Sequence, residues 1–295
     1  MTDNLRTIDP DDNLAERAKE GEVLNPKSAG DALIEELSKG KGKKYVRFVM
    51  AALGSVPWVG SYLGILGAMA GLSGEKDQDK VNSLLKLWVE EHQPKLEELK
   101  QTLGDIVERL DGLGEEARQR IESPEYLALV RRSFKSWDEA DTAEKREYIK
   151  RLITNAGATK LCPDDLVRIF VGWIDDYHES HFAVIKQIYQ NPSGITKASI
   201  WDNLHGGVRA REDSADAGLF RYLMRELNMG GVIEIAKNRN ADGHAYKATP
   251  KRSARGVGSK VVESTYEDTK PWVLTELGQQ FVHYVLSDVV KRVDG

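Results

Sequence analysis

The sequence predicts a mainly α-helical protein. An N-terminal helical bundle with a glycine-rich apolar hairpin and a long heptad helix precedes a C-terminal module of helices and two strands. Three observations indicate this organisation. Residues 48–74 contain no charged side chain. Apolar residues then recur with helical spacing over residues 85–113, and segments typical of strands occur near residues 232–236 and 271–274.

Composition excludes several classes of protein. The 42 Lys and Arg residues are outnumbered by 47 Asp and Glu residues, and the resulting net charge of −5 disfavours a protein that coats nucleic acid uniformly. A mean hydropathy of −0.47 excludes a polytopic membrane protein. The single cysteine, Cys162, excludes an internal disulfide and a zinc site built on several thiolates.

The length of 295 residues suggests two or three domains, at about 150 residues each. We expect a helical, membrane-active region over residues 1–122, middle helices over residues 123–178 and a C-terminal domain over residues 179–295. The first residues are acidic and polar, unlike a secretory signal. We therefore expect the protein in the cytoplasm, with recruitment to the inner face of the cell membrane.

The uncharged run begins directly after a basic stretch. Five cations and no acid occupy residues 39–47, a composition that favours contact with anionic lipid headgroups. The predicted headgroup contacts are Lys41, Lys43, Lys44 and Arg47, and the predicted insertion residues are Phe48, Leu53, Pro57, Trp58, Tyr62, Leu63, Ile65 and Leu66.

Pro57 interrupts the uncharged run, because it lacks a backbone donor and disfavours helix at Val56. Three interpretations stay open. The run is a hairpin buried in a soluble bundle, a hairpin stored there and later inserted into a membrane, or a kinked permanent span. The adjacent cations favour a membrane-directed role, since a buried hairpin does not require them.

A heptad seam predicts one long helix over residues 77–113. Its spacings alternate between four and three residues and average 3.5. The seam packs either against helices of the same chain or against a second subunit, which would make the protein a coiled-coil homo-oligomer. The seam positions are Leu85, Val89, His92, Leu96, Leu99, Leu103, Ile106, Leu110 and Leu113. A glycine-rich hairpin beside a long amphipathic helix resembles the general arrangement of α-helical pore-forming proteins, which hold the hairpin against a helix bundle until triggered.

Three middle helices are predicted over residues 124–137, 141–155 and 163–177, with a capping box at Asp141 and Gly157 ending the second. Asp175, His178 and His181 follow one another at three-residue steps, a spacing that can place metal ligands on one helix face. No further ligand is identifiable. We therefore predict a solvated helix surface, no metal site and no other cofactor.

The C-terminal module has its own order of elements. Helices are predicted over residues 181–190, 196–204 and 214–227, strands over residues 232–236 and 271–274, and a final helix over about residues 276–289. The segment LTELGQQF, beginning at Leu274, resembles the LT-x-x-G-x-x-F ending common in winged-helix proteins. The resemblance covers about 110 residues and implies a winged-helix domain, a variant of the helix-turn-helix.

The partner of this module stays open between DNA and protein. Seven cations and two acids lie between residues 232 and 262, which suits phosphate contacts. The predicted recognition helix, however, begins with Glu212, Asp213 and Asp216, which disfavour phosphate and suit a helix N-terminus. Contact with protein or within the chain is therefore favoured over DNA. The candidate contact residues are Arg221, Arg225, Lys237, Arg239, Lys251, Arg252 and Arg255.

The motifs of a nucleophile elbow, P-loop, dinucleotide site and zinc protease are missing from the sequence, so we do not expect an enzyme. We predict a membrane-directed helical effector with a winged-helix sensor or partner-binding module. This domain organisation resembles bacterial abortive-infection and antiphage effectors, which implies a role in antiviral defence. The alternatives are a winged-helix DNA-binding regulator dimerised through the seam and a soluble scaffold whose apolar hairpin is core.

Overall fold

A computed structural model describes residues 42–60, 75–236 and 264–286. The prediction of a mainly α-helical fold is confirmed. The chain forms two compact units, the first ending at Asp175 and the second beginning at Asp176. The first unit contains α1 (Gly42–Leu53), α2 (Glu75–Asp111), α3 (Glu115–Ile121), α4 (Pro124–Glu139), α5 (Ala143–Ala158) and most of α6 (Asp164–Asp176). The second contains α7 (Glu179–Tyr189), α8 (Lys197–His205), α9 (Ala215–Met229), β1 (Ile233–Ile235), β2 (Trp272–Leu274) and α10 (Glu276–Val285).

The long helix α2 supplies much of the core of the first unit. It has 37 residues and continues through Pro94. Four successive seam side chains in its second half are buried within the unit: Leu99, Leu103, Ile106 and Leu110. Within the described parts of the chain, no helix combines the length and apolar composition needed to cross a membrane.

The helix α5 packs closely against α4 because Gly157 carries no side chain. A Cβ at Gly157 would lie 2.8 Å from the Tyr126 hydroxyl and 2.9 Å from a Leu110 methyl carbon. The prediction that Gly157 ends the helix is wrong, since α5 continues to Ala158. Its predicted start also shifts by one residue, because the Thr142 hydroxyl, rather than Asp141, accepts the capping hydrogen bond from a backbone N–H of the first turn.

Arg120 ties three helices together in the first unit. Its guanidinium binds both carboxylate oxygens of Asp164 at the start of α6, and its Nε donates to the carbonyl of Ala156 near the end of α5. The same guanidinium lies over the Tyr126 ring, 5.4 Å from its centre. The pair is largely shielded from water, so its geometry fixes how α3, α5 and α6 meet.

The second unit begins with three helices and ends with a two-stranded sheet and a helix. The strands pair antiparallel, with Ile233 opposite Leu274. Between α7 and α8, Ile195 forms an additional bridge to Trp272 of β2. The order is therefore helix, short bridge, helix, helix, strand, strand, helix.

The close approach of α10 to β1 explains why the LTELGQQF segment has glycine at position 278. A Cβ there would lie 2.1 Å from the Val232 carbonyl oxygen, so only glycine allows α10 to approach the start of β1. Thr275 completes this junction, because its hydroxyl donates to the Gly231 carbonyl and accepts from the Gly278 N–H. The segment thus joins the sheet to the last helix.

Candidate functional site

The helix α1 has one buried face and one exposed face. Phe48 is buried against Tyr126 and Phe134 of α4, with ring centres 6.5 Å and 6.3 Å away. On the opposite face, Val46 is 39% exposed and Met50 is 45% exposed. Arg47 is also exposed, whereas Lys43 and Lys44 precede a kink at Tyr45, whose backbone is not helical. α1 therefore presents apolar and cationic side chains to solvent together.

The chain beyond α1 is also attached to the first unit. After a turn, residues 57–60 are helical again, and the Trp58 indole N–H donates to the Asp138 carboxylate at 2.6 Å. The Trp58 ring lies 5.5 Å from the His92 ring and 5.9 Å from the Trp88 ring of α2. Sequence reasoning missed Asp138, since an acid 80 residues away gives no local signal.

The predicted insertion residues have different positions. Phe48 and Leu53 are core residues, Trp58 is half-buried and Pro57 is exposed. Burial of Phe48 and Leu53 agrees with a stored hairpin and with a purely structural one. The other predicted insertion residues, Tyr62, Leu63, Ile65 and Leu66, and the predicted headgroup contact Lys41 lie outside the described residues.

The seam predicted for self-association is used inside the first unit. Its second half is buried there, beginning with Leu99, whereas Leu96 is half-buried. Leu85 and Val89 lie on α2, but their side chains are outside the description. Burial of its second half leaves that part of the seam unavailable to a second subunit while the unit is folded.

Ion pairs neutralise most of the cations next to α9. Arg209 binds both carboxylate oxygens of Asp202, at 3.1 Å and 2.9 Å, and Arg211 binds Asp213 in the same way. Of the four arginines between residues 209 and 225, only Arg225 is in no ion pair within the described residues. The other predicted contact residues, Lys237, Arg239, Lys251, Arg252 and Arg255, lie outside the described residues.

Glu212 binds the chain at Ser264 and Thr265, shortly before β2. Its carboxylate accepts hydrogen bonds from the Thr265 backbone N–H and the Ser264 hydroxyl, and these bonds lower the pKa of Glu212. Arg221 lies 3.5 Å from the same carboxylate and donates to the Thr265 hydroxyl. Arg221 is thus engaged with Thr265 and Glu212 at this point of the chain.

A buried histidine links α7 to α9. The backbone N–H of His178 donates to Nδ1 of His181, so the His181 proton resides on Nε2, which lies 2.9 Å from the Glu226 carboxylate. The other oxygen of Glu226 accepts from the Tyr222 hydroxyl at 2.6 Å. His181 is fully buried, and burial lowers its pKa.

This arrangement corrects the prediction of a solvated helix surface around His181. α6 ends at Asp176 and α7 begins at Glu179, so Asp175, His178 and His181 do not share a helix. The described residues contain no group of histidine, cysteine and carboxylate side chains suited to a metal ion. The partner of His181 lies 45 residues further along the chain, beyond what local spacing can reveal.

The exposed side of α9 carries an apolar stripe, which we define as Leu219, Tyr222 and Met229. These side chains are 52%, 51% and 73% exposed. Their spacings of three and seven residues place them on one helix face. Sequence reasoning missed these three residues. The signal that could have found them is that they fall outside the spacing of the buried positions, such as Phe220 and Leu223.

An apolar groove of about 240 Å³ lies beside this stripe. Leu219 belongs to both, and the groove is bounded by side chains of α7, α8 and α9. It is lined by Ser180, Ala183, Trp201, Leu204, His205, Asp216, Leu219, Phe220 and Leu223. Exposed apolar stripes and grooves of this kind are typical of protein contacts.

Comparison with protein-family models, curated proteins and solved structures finds no match for this chain.

Proposed function

We propose that this protein is a helical effector that binds anionic membranes through its first unit and a protein partner through a winged-helix second unit. The observation that carries the membrane proposal is the exposed face of α1, where Arg47 lies beside Val46 and Met50. A surface of cations and apolar side chains is suited to the boundary between headgroups and acyl chains.

The expected affinity is modest and sensitive to salt. Each Lys or Arg near an anionic surface contributes about 1 kcal/mol, so Lys41, Lys43, Lys44 and Arg47 together contribute about 4 kcal/mol. The exposed parts of Val46 and Met50 add an apolar contribution. Val46, Arg47 and Met50 already face water, so their contact with a membrane leaves the buried face of α1 in place.

Vesicle flotation tests the proposal directly. The full chain should float with vesicles that contain phosphatidylserine at low salt and remain in solution with phosphatidylcholine alone or at high salt. Replacing Lys41, Lys43, Lys44 and Arg47 with Gln should reduce the bound fraction at least tenfold, and Met50→Asp should also reduce it. A matched control replaces Arg131 and Arg132, two exposed cations of α4, with Gln. Wild-type protein that never floats would overturn the membrane proposal.

The proposal of a winged-helix module is supported by the element order and by the close junction at Gly278. A protein partner is favoured over DNA because Arg209, Arg211 and Arg221 are paired with acids, whereas the stripe on α9 is apolar and exposed. DNA contact would require cations that are free to bind phosphates.

Two measurements test this choice of partner. A photo-crosslinking amino acid at Leu219 should yield one defined protein adduct in cells, and the adduct should disappear with Met229→Asp. The same amino acid at the exposed Gln119 is the control. Salt-sensitive binding of duplex DNA that is abolished by Arg221→Ala and Arg225→Ala would instead establish the DNA-binding alternative.

A role in bacterial antiviral defence completes the proposal. Cells that produce the wild-type protein should survive phage challenge as a population better than cells that produce the variant with four Gln substitutions. Equal plaque numbers for the two strains would remove the defence role while leaving membrane binding to be judged by flotation.

A further inference from the structure

The groove between α7, α8 and α9 combines an apolar lining with one carboxylate. Among the described residues that line it, Asp216 is acidic and none is lysine or arginine. Apart from Ser180 and His205, the other lining side chains are apolar. Because Asp216 is exposed, its carboxylate lies at the rim of the groove. Such a groove is suited to a side chain with a long apolar stem and a cationic end, as in lysine and arginine.

Two exposed acids at the groove are not neutralised by cations of the described chain. Neither Asp216 nor Glu179 forms an ion pair within the parts of the chain that the structure describes. Glu179 lies one helical turn before the groove residue Ala183 on α7. Three acids of α8 and the loop after it are instead paired with arginines: Asp202, Glu212 and Asp213. The groove therefore keeps negative charge that a cation from another molecule can offset.

The stripe on α9 has an acid on the side of the groove. Glu226 is seven residues from Leu219 and three from Leu223, so it shares their side of the helix. Its carboxylate accepts a hydrogen bond from Tyr222 of the stripe at 2.6 Å. Arg225 is two residues from Leu223 and lies on another side of α9. Acidic groups thus accompany the apolar surface from the groove to the stripe.

The secondary structure around the groove indicates the form of the partner. The described residues that line the groove all belong to the helices α7, α8 and α9, whereas an extended peptide pairs with the edge of a sheet. The stripe runs from Leu219 to Met229, about 15 Å along α9, which matches about three turns of a second helix.

We propose that the groove and the stripe together bind an amphipathic helix of a protein partner. Its apolar face covers Leu219, Tyr222 and Met229, and a lysine or arginine beside that face enters the groove next to Asp216. The proposal names the kind of partner for the binding role proposed for the second unit, and it rests on that role.

Titration calorimetry of the full chain with three synthetic peptides of about 14 residues tests the proposal. The first peptide is an amphipathic helix with a leucine stripe flanked by arginines. The second has glutamate in place of each arginine, and the third has the composition of the first in scrambled order. The first should bind the wild-type protein with a dissociation constant on the order of 100 μM, and the other two should bind at least about tenfold more weakly.

Variants locate the binding site. Asp216→Asn should weaken binding of the arginine peptide about fivefold, and Leu219→Asn, which introduces no charge, should weaken it about tenfold. Glu276→Gln is the matched control and should leave the affinity unchanged. Glu276 is likewise an exposed acid in the first turn of its helix, but it does not line the groove. Circular dichroism and urea unfolding establish that each variant is folded.

Four results would overturn the proposal. The first three are equal binding of the arginine and glutamate peptides, equal losses in Asp216→Asn and Glu276→Gln, and absence of binding at about 1 mM peptide. The fourth is a dimer, detected by analytical ultracentrifugation, that Leu219→Asn dissociates and the arginine peptide does not, which would assign the surface to a second copy of the chain. These titrations need no cellular partner, whereas the crosslink at Leu219 does, so the helix proposal and the partner proposal can fail separately.

Discussion

Replacing Phe48 with alanine should remove about 3–5 kcal/mol from the free energy of unfolding of the first unit. The side chain is buried between the rings of Tyr126 and Phe134. Its removal loses the transfer free energy of the ring and leaves a cavity that α1 and α4 cannot close completely. Domains are commonly stable by only 5–15 kcal/mol, so this loss is a large fraction of the total.

Urea unfolding and thermal melts measure the effect, with Met50→Ala as the matched control. Met50 lies two residues away on the exposed face of the same helix. Its replacement should cost less than about 1 kcal/mol, since little buried surface is lost. At about 2–4 °C per kcal/mol, Phe48→Ala should lower the melting temperature of the first unit by about 6–20 °C. A loss equal to that of Met50→Ala would refute the packing of α1 described above.

The same pair of variants separates a stored hairpin from a structural one. If the apolar run leaves the core to enter a bilayer, weakening its attachment through Phe48→Ala should increase dye leakage from anionic vesicles. If the run is only core, the variant should unfold more easily without causing leakage. Met50→Ala should change vesicle binding without changing the stored state.

Three further predictions concern stability. Burial lowers the pKa of His181 below the usual 6.5, so the unfolded chain is protonated first and stability should fall as the pH drops below about 6.5. Urea midpoints at pH 7.5 and 5.5 should therefore differ more in wild type than in His181→Gln, and equal differences would contradict the role of the imidazole. Gly157→Ala should cost about 1–3 kcal/mol in urea unfolding, since its Cβ would clash with the Tyr126 hydroxyl. Arg120→Ala should cost about 3 kcal/mol by leaving the shielded Asp164 carboxylate unpaired, and Asp164→Asn combined with it should recover part of that loss.

Local signals predicted most helices of the described residues, but not α3. Helix starts at Ser123, Thr196 and Ser214 follow from side chains that accept a hydrogen bond from the backbone N–H three residues later. Such bonds depend on neighbouring residues only, so the sequence contains all the information they require. The LTELGQQF segment also drew attention to Gly278. The reason for a glycine there, the nearby Val232 carbonyl, is visible only in the structure.

The surfaces were harder to predict because they depend on distant residues. Periodicity indicates that α1 is amphipathic but not which neighbour covers it, and Phe48 was therefore expected at a membrane when it contacts α4. The partners of the cations near α9 were likewise not predictable from neighbouring residues. Arg221 was a candidate for phosphate contact, yet it is held by Glu212 and by a threonine 44 residues away.

Apolar side chains that remain exposed after folding restrict where each unit can bind a partner, because a buried side chain would first have to leave its core. Under this restriction, the proposed membrane contact uses Val46 and Met50 rather than Phe48 of the same helix. The same restriction disfavours self-association through the second half of the α2 seam, and the stripe on α9 is an exposed apolar alternative. A homo-oligomer formed by the folded protein should therefore be weakened by Leu219→Asp and be insensitive to conservative changes such as Leu103→Met. The reverse pattern, measured by analytical ultracentrifugation, would mean that the first unit opens when subunits pair.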